Sequence, residues 1–369
     1  MATDPQRRRV LATLSGAGLI AGLPPLARAA ITHDRDSAPR LLTCWSDSPT
    51  RPSTFHAGWV DAPAQALALP ARGHDIAWHP SADGTAVVVA RRPGDFLVRW
   101  HVATGAEIAR FEADDESRFE GHIAFRADGR VLYATETDLI TGDGRIGVFD
   151  ALTLERLDAW PCGGIGPHAV ECLADGRLAV AVGGILTLPE TGRVKRNLGS
   201  MDPSLTFLDP SDGRLLSQCR LDDAFMSVRH IAQAADGRVA VSLQNEGRTA
   251  RPLFAIVDGE RLRYGEADAD LLSRCGGYAG DIVAVGELFA VSCSTAGVTA
   301  VWSGDGSPHT LFDTPRVCAL STCHGCLVIT SDTGKIWEVS LQRGIEEQAR
   351  IRLFASSVAL DNHAASEAS

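Results

Sequence analysis

Gly121-His122-Ile123-Ala124-Phe125-Arg126-Ala127-Asp128-Gly129-Arg130-Val131-Leu132-Tyr133-Ala134-Thr135 is the stretch that decides the fold. One apolar run leads into Asp128-Gly129 and a second leaves it. Asp-Gly between two such runs reads as a hairpin, because both residues tolerate the positive φ of a tight turn. The step returns at Asp83-Gly84, Asp175-Gly176 and Asp236-Gly237, followed by Ala86 to Ala90, Leu178 to Val182 and Val239 to Leu243. Two variants continue it: Gly286-Glu287 before Leu288 to Ser292, and Cys323-His324-Gly325 before Cys326 to Thr330. Two more strand-like runs follow each step. Units of four strands repeating every roughly 40–50 residues are the signature of a β-propeller.

Six units are complete within the chain, and a seventh is split between its ends. Leu41 to Ser46 reads as a second strand, Thr54 to Val60 as a third and Gln65 to Leu69 as a fourth. The missing first strand is expected between Phe354 and His363. Closing the ring with strands from both termini removes exposed sheet edges. The expected fold is therefore all-β, a seven-bladed propeller forming a single domain over residues 30–369. One unit is interrupted by an insertion, Gly183 to Pro203, which is long for a tight repeat and so a candidate functional loop.

Histidines recur where first strands begin: His74 after Gly73, His122 after Gly121, His168 after Gly166-Pro167, and His230 after Arg229. Asp361-Asn362-His363 offers a further case, while Asp281 and Val317 hold the equivalent places in two other units. First strands line the channel of a propeller, so these positions should ring one of its mouths. Second strands end on the same face, which adds Glu136, Asp138 and Gln244, and the insertion adds Arg193 and Lys195. Imidazole beside carboxylate suits a first-row transition metal, iron or copper here. His74, His122, His168 and His230 are the candidate ligands. Glu136, Asp138, Arg193, Lys195, Gln244 and His363 form the candidate ligand or partner surface. The alternative is that each His bonds backbone in the neighbouring blade.

The N-terminus carries Arg7-Arg8-Arg9-Val10-Leu11, an apolar run from Leu14 to Leu26, and Ala27-Arg28-Ala29. These are the three parts of an export signal, and the adjacent arginines point to the twin-arginine route. Residues 1–29 are then a signal peptide, and the mature chain is periplasmic. A formal net charge of −11, with no basic run outside the signal, argues against a nucleic-acid partner. No other segment is apolar enough for a membrane span. Nine cysteines, in a compartment that permits disulfides, leave at least one thiol without a partner inside the chain. Cys323-His324-Gly325-Cys326 lacks the His after the second Cys that c-type haem attachment needs. It reads as a local disulfide or two ordinary thiols. No nucleophile-elbow, zinc-protease or phosphate-loop motif is present, so no catalytic residue is assigned.

The twin-arginine start, Arg72-Gly73-His74, Gly121-His122, Gly164-Ile165-Gly166-Pro167-His168, Met201-Asp202-Pro203-Ser204-Leu205, Arg229-His230 and Asp361-Asn362-His363 resemble domain-of-unknown-function family 1513. Its members are exported bacterial propellers of the YncE-like kind. The resemblance implies a genomic setting shared with imelysin-like proteins and a dihaem oxidoreductase-like protein, linked to iron acquisition. Those two are the expected periplasmic partners of a monomeric chain. The leading expectation is a non-enzymatic propeller binding a ligand or partner at its His-lined mouth, accessory to metal or iron acquisition. Two alternatives stand beside it: an enzyme of lactonase or quinoprotein-dehydrogenase type, and a pure protein-interaction platform.

Overall fold

A computed structural model describes residues 40–366 except 82, 189, 191, 193, 342–351 and 354–357. Residues 1–29, expected to be a signal peptide, and Arg193 lie outside the described residues. Within them the strands form seven four-stranded antiparallel sheets. Sheet one holds β1 (Leu41–Ser46), β2 (Phe55–Trp59) and β3 (Leu67–Leu69), joined by the last strand, β28 (Ala359–Ser366). Sheet two is β4 (Gly73–Trp78), β5 (Thr85–Ala90), β6 (Phe96–His101) and β7 (Ala106–Glu112). Sheet three is β8 (Ser117–Phe125), β9 (Val131–Asp138), β10 (Gly144–Asp150) and β11 (Arg156–Pro161). Sheet four is β12 (Pro167–Cys172), β13 (Leu178–Val182), β14 (Ser204–Leu208) and β15 (Leu215–Cys219). Sheet five is β16 (Met226–Gln233), β17 (Val239–Asn245), β18 (Phe254–Asp258) and β19 (Arg261–Tyr264). Sheet six is β20 (Asp281–Val285), β21 (Leu288–Cys293), β22 (Val298–Ser303) and β23 (Pro308–Asp313). Sheet seven is β24 (Val317–Cys323), β25 (Cys326–Ser331), β26 (Lys335–Val339) and β27 (Arg352–Leu353). Each first strand touches the first strand of the next sheet, and β28 touches both β24 and β4, so the ring is closed.

The Asp-Gly steps work as their chemistry requires. Gly84, Gly129, Gly176 and Gly237 all have φ between 69° and 89°. The preceding Asp accepts the amide two residues on, at 2.9 Å from Thr85 and 3.0 Å from Arg130. Strands β1, β5 and β13 are buried along their whole length, because neighbouring blades cover both faces of a second strand. Trp100 and Trp302 fill the space between blades at 0% and 1% exposure. Trp78 is half-buried, 5.3 Å from the ring of Trp59.

The closing strand lies further along the chain than expected. It runs to Ser366, and Ala364, Ala365 and Ser366 pair with Thr43, Leu42 and Leu41. The open edge of β1 continues to Leu41 and recruits whatever backbone extends beside it. A helix not anticipated from the sequence, α1 (Ala269–Cys275), precedes β20, and the Asp268 carboxylate caps it by accepting Leu271 N–H at 2.8 Å. No helix among the described residues is long and apolar enough to cross a membrane.

Candidate metal centre in the axial channel

In six of the seven inner strands the pairing register shifts at one repeated position. A β-bulge adds a residue to one strand and re-aims a side chain. Five of these bulges carry a histidine: His74, His122, His168, His230 and His363. The sixth carries Cys318, and the regular strand β20 begins instead with Asp281. Hydroxyls on second strands satisfy amides and carbonyls at the bulges. Thr135 Oγ1 accepts His122 N–H at 3.3 Å, and Thr43 Oγ1 donates to His363 C=O at 2.6 Å.

The bulges turn the imidazoles inward until they meet across the axis. Ring centroids of neighbouring pairs stand 4.5 to 5.1 Å apart, and all five side chains are buried, at 4 to 7% exposure. His74, His122 and His363 form one set whose ligand atoms lie within 4.8 Å of one another; His122, His168 and His230 form a second. Nε2 of His168 and Nε2 of His230 are 3.1 Å apart. Two nitrogens bound to one ion at about 2.0–2.1 Å stand roughly 3.0–3.4 Å apart.

Three carboxylates orient the first set from behind. Asp361 Oδ1 lies 2.7 Å from His74 Nδ1, Asp75 Oδ2 lies 3.6 Å from His122 Nδ1, and Asp281 Oδ1 lies 3.6 Å from His363 Nδ1. On the neutral rings of His74 and His122 a carboxylate on Nδ1 holds the proton there and leaves the Nε2 lone pair facing inward, as in metal-binding His–carboxylate pairs, whereas His363, held protonated by its carboxylates, must shed its Nε2 proton to ligate. Backbone amides hold the carboxylates in turn: Asp75 accepts Ile123 N–H at 3.2 Å and Asp281 accepts Leu320 N–H at 2.9 Å, each across a blade boundary. Nε2 of His122, Nε2 of His363 and Nδ1 of His168 are buried without a hydrogen-bond partner among the described residues. Such orphans are rare in folded proteins, and three of them share this cluster.

Burial pushes His74, His168 and His230 well below the ordinary imidazole range, and His122 below it too. For His363 burial acts the same way, but Asp281, Asp75 and Asp361 outweigh it and raise the group to about 9. Asp75, despite burial, is lowered to about 2 by its bond to His122. The sign of the pH dependence follows. The depressed imidazoles refuse protons that the unfolded chain takes up, so their contribution is present above about 6.5 and is lost as pH falls below it. His363 contributes fully below about 6.5 and loses about 3 kcal/mol as pH rises to its folded value. The metal-free protein should therefore melt highest near pH 6.5 and lower on both sides, with the alkaline limb shallower in H363A, where Glu171, raised to about 8 by desolvation, still loses stability as pH rises. Scanning calorimetry from pH 5 to pH 9.5 checks this, and a flat profile would contradict the buried cluster.

Other expected site residues lie elsewhere. Glu136 is turned away from the channel and buried at 1% exposure, where Arg145 and Arg156 bind its carboxylate at 3.2 and 2.7 Å. It is used within its own blade, where Gly147 lacks the side chain that would collide with it. Asp138 caps the β9–β10 turn by accepting Ile140 N–H at 2.8 Å. Lys195 and Gln244 do reach the mouth, where they line a cavity of about 220 Å³ with Arg92, Glu120 and Tyr278. Ile185, Thr187, Leu188, Gly192 and Lys195 of the insertion line the same cavity. The orienting role of Asp75 and Asp361 was not legible in the sequence, although each lies within two residues of a ring histidine. His79 shows the alternative arrangement, its Nε2 being 2.9 Å from Gly129 C=O in the next blade. Cys323 and Cys326 face each other as register partners across the His324-Gly325 turn.

Among solved structures the chain is similar to the RRP9 WD40 repeats, with a TM-score of 0.55 and 11% identity over 78% of this chain and 81% of that one. It is equally similar to the Dos1 propeller, with a TM-score of 0.55 and 11% identity over 87% of this chain and 85% of that one. At such identity the likeness is one of fold. No curated protein sequence matches the chain. A family model described as "Protein of unknown function (DUF1513)" matches residues 67–366, a span that takes in the whole histidine cluster and its carboxylates, and the chain belongs to that family.

Proposed function

We propose that this propeller is a non-enzymatic periplasmic protein that holds a transition-metal ion in its axial channel and serves metal acquisition. The observation that carries the reading is the set His74, His122 and His363, each with Nδ1 facing a carboxylate and with ligand atoms within 4.8 Å of one another. Neutral imidazoles suit copper, zinc and ferrous iron, whereas ferric iron favours harder oxygen donors. Iron would therefore be held here as Fe(II). Twin-arginine export favours the same reading, because that route carries proteins already folded and loaded in the cytoplasm. Imelysin-like and dihaem oxidoreductase-like proteins are the proposed partners in such a system.

The test is elemental analysis of protein recovered from the periplasm after native export. About one equivalent of a first-row metal is expected. Protein that leaves the cell metal-free, and takes up neither Fe(II), Cu(II) nor Zn(II) when offered, would end the proposal and favour the interaction platform. The export step has its own test. R7K/R8K should strand the precursor in the cytoplasm, since the receptor reads paired guanidinium groups. Fractionation and immunoblotting would show this, and normal export of the double variant would refute the assignment.

A further inference from the structure

The turn that ends β24 carries two thiols and an imidazole within four residues. Asp-Gly makes the corresponding turn in four other blades, but here the chain reads Cys323-His324-Gly325-Cys326. His324 and Gly325 have φ of 49° and 75°, the two positive values that a type I′ turn needs. Only these two residues separate the strands, so Cys323 and Cys326 stand directly opposite as register partners. Opposed residues of an antiparallel ladder have Cα atoms about 4.5–5.5 Å apart and side chains on one face. A disulfide spans about 4.4–6.8 Å between Cα atoms, so the pair can close with little movement of the backbone.

The two thiols differ in access. Cys323 is buried at 8% exposure against Leu41, Val328 and Ile336, whereas Cys326 is half-buried. Nδ1 of His324 lies 3.3 Å from Cys323 Sγ, within reach of its proton. A thiol beside an imidazole ionises more readily, and the thiolate is the nucleophile. Several other thiols are made inert by their surroundings. Burial pushes Cys162, Cys172 and Cys318 up to about 12, and Cys44 well above the ordinary thiol range.

We propose that Cys323 and Cys326 form a thiol–disulfide exchange site whose co-reactant is the disulfide of a small thiol. Cys326, the more accessible, attacks one sulfur of that disulfide as its thiolate. The S–S bond breaks, one thiolate leaves, and a mixed disulfide remains on Cys326. Cys323 then passes its proton to His324 and attacks Cys326 Sγ. The second thiolate leaves and takes up that proton. The protein dithiol loses two electrons and two protons, and the co-reactant gains both as two thiols. The site does not rest on the metal reading, because the bulge at Cys318 lies at the other end of β24.

The purified chain, reduced with dithiothreitol and desalted, tests this when offered oxidised glutathione at neutral pH. Peptide mapping by mass spectrometry should find a Cys323–Cys326 disulfide and no lasting glutathione adduct on either residue. C323S should stop with one glutathione on Cys326. C326S should react far more slowly, because the remaining thiol is the buried one. H324A should form the mixed disulfide normally but close it about tenfold more slowly, and so accumulate the adduct. A pair that dithiothreitol cannot open, or one that oxidised glutathione cannot close, would overturn the proposal. So would a C326S variant that reacts like the wild type, or closure at the wild-type rate in H324A.

Discussion

A chain ended after Leu353 should lose most of its stability, with a melting temperature more than about 10 °C below that of the full chain. The truncation removes β28, which pairs with β1 from Leu41↔Ser366 to Ser46↔Ala359. It strips the cover from Leu41, Leu42 and Trp45, which are 2%, 0% and 6% exposed. It also removes buried Leu360, worth about 2 kcal/mol. Asp361 goes with it, and Arg72 and His74 lose the carboxylate they share. Arg72 is partly exposed and recovers water, so the loss falls mainly on the bond to buried His74, about 1–3 kcal/mol. Together these approach the roughly 5–15 kcal/mol that holds an ordinary domain folded. Ending the chain after Ser366 instead should change little, because the β1 pairing is then complete. Thermal melts of both truncations decide the matter, and a shift of a degree or two in the first would refute closure by β28.

H122A should abolish metal retention, because His122 belongs to both ligand sets. Loss of an orienting carboxylate typically lowers metal affinity by about 10–100-fold, and D75N is expected in that range. Loss of the ligand itself should exceed it. The metal-free H122A protein should nevertheless fold, since the His122 ring packs against other imidazoles and its Nε2 has no protein partner to lose. H79A should behave the opposite way. Its ring bonds Gly129 C=O in the next blade, so its loss should destabilise by about 1–3 kcal/mol and leave metal content unchanged. Metal content and unfolding midpoint measured on H122A and H79A separate a ligand from a structural histidine. Wild-type metal content in H122A would refute the site.

The sequence by itself determined what depends on local chemistry. Asp-Gly turns need only two adjacent residues, so Asp128-Gly129 and its counterparts marked the blades. The insertion bounds, Gly183 and Pro203, coincide with the gap between Val182 and Ser204 because a four-strand period makes any excess visible. The shared position of His74, His122, His168 and His230 was likewise legible as a repeat. Only the tertiary structure decided where those side chains point. A bulge is a property of a ladder between two strands, and nothing in Gly73-His74-Asp75 reveals that the register slips there. The same holds for Asp361, which reaches His74 across 287 positions of sequence, and for His363, which joins the cluster once β28 has paired with β1. Glu136 shows the converse. Its place in the repeat suggested the mouth, but the pleat and two arginines from the outer strands of its own blade turned it away. Propeller strands pair locally, so their order is written in the repeat. The channel is made where all seven blades converge, so its chemistry is set by contacts between residues far apart in the chain.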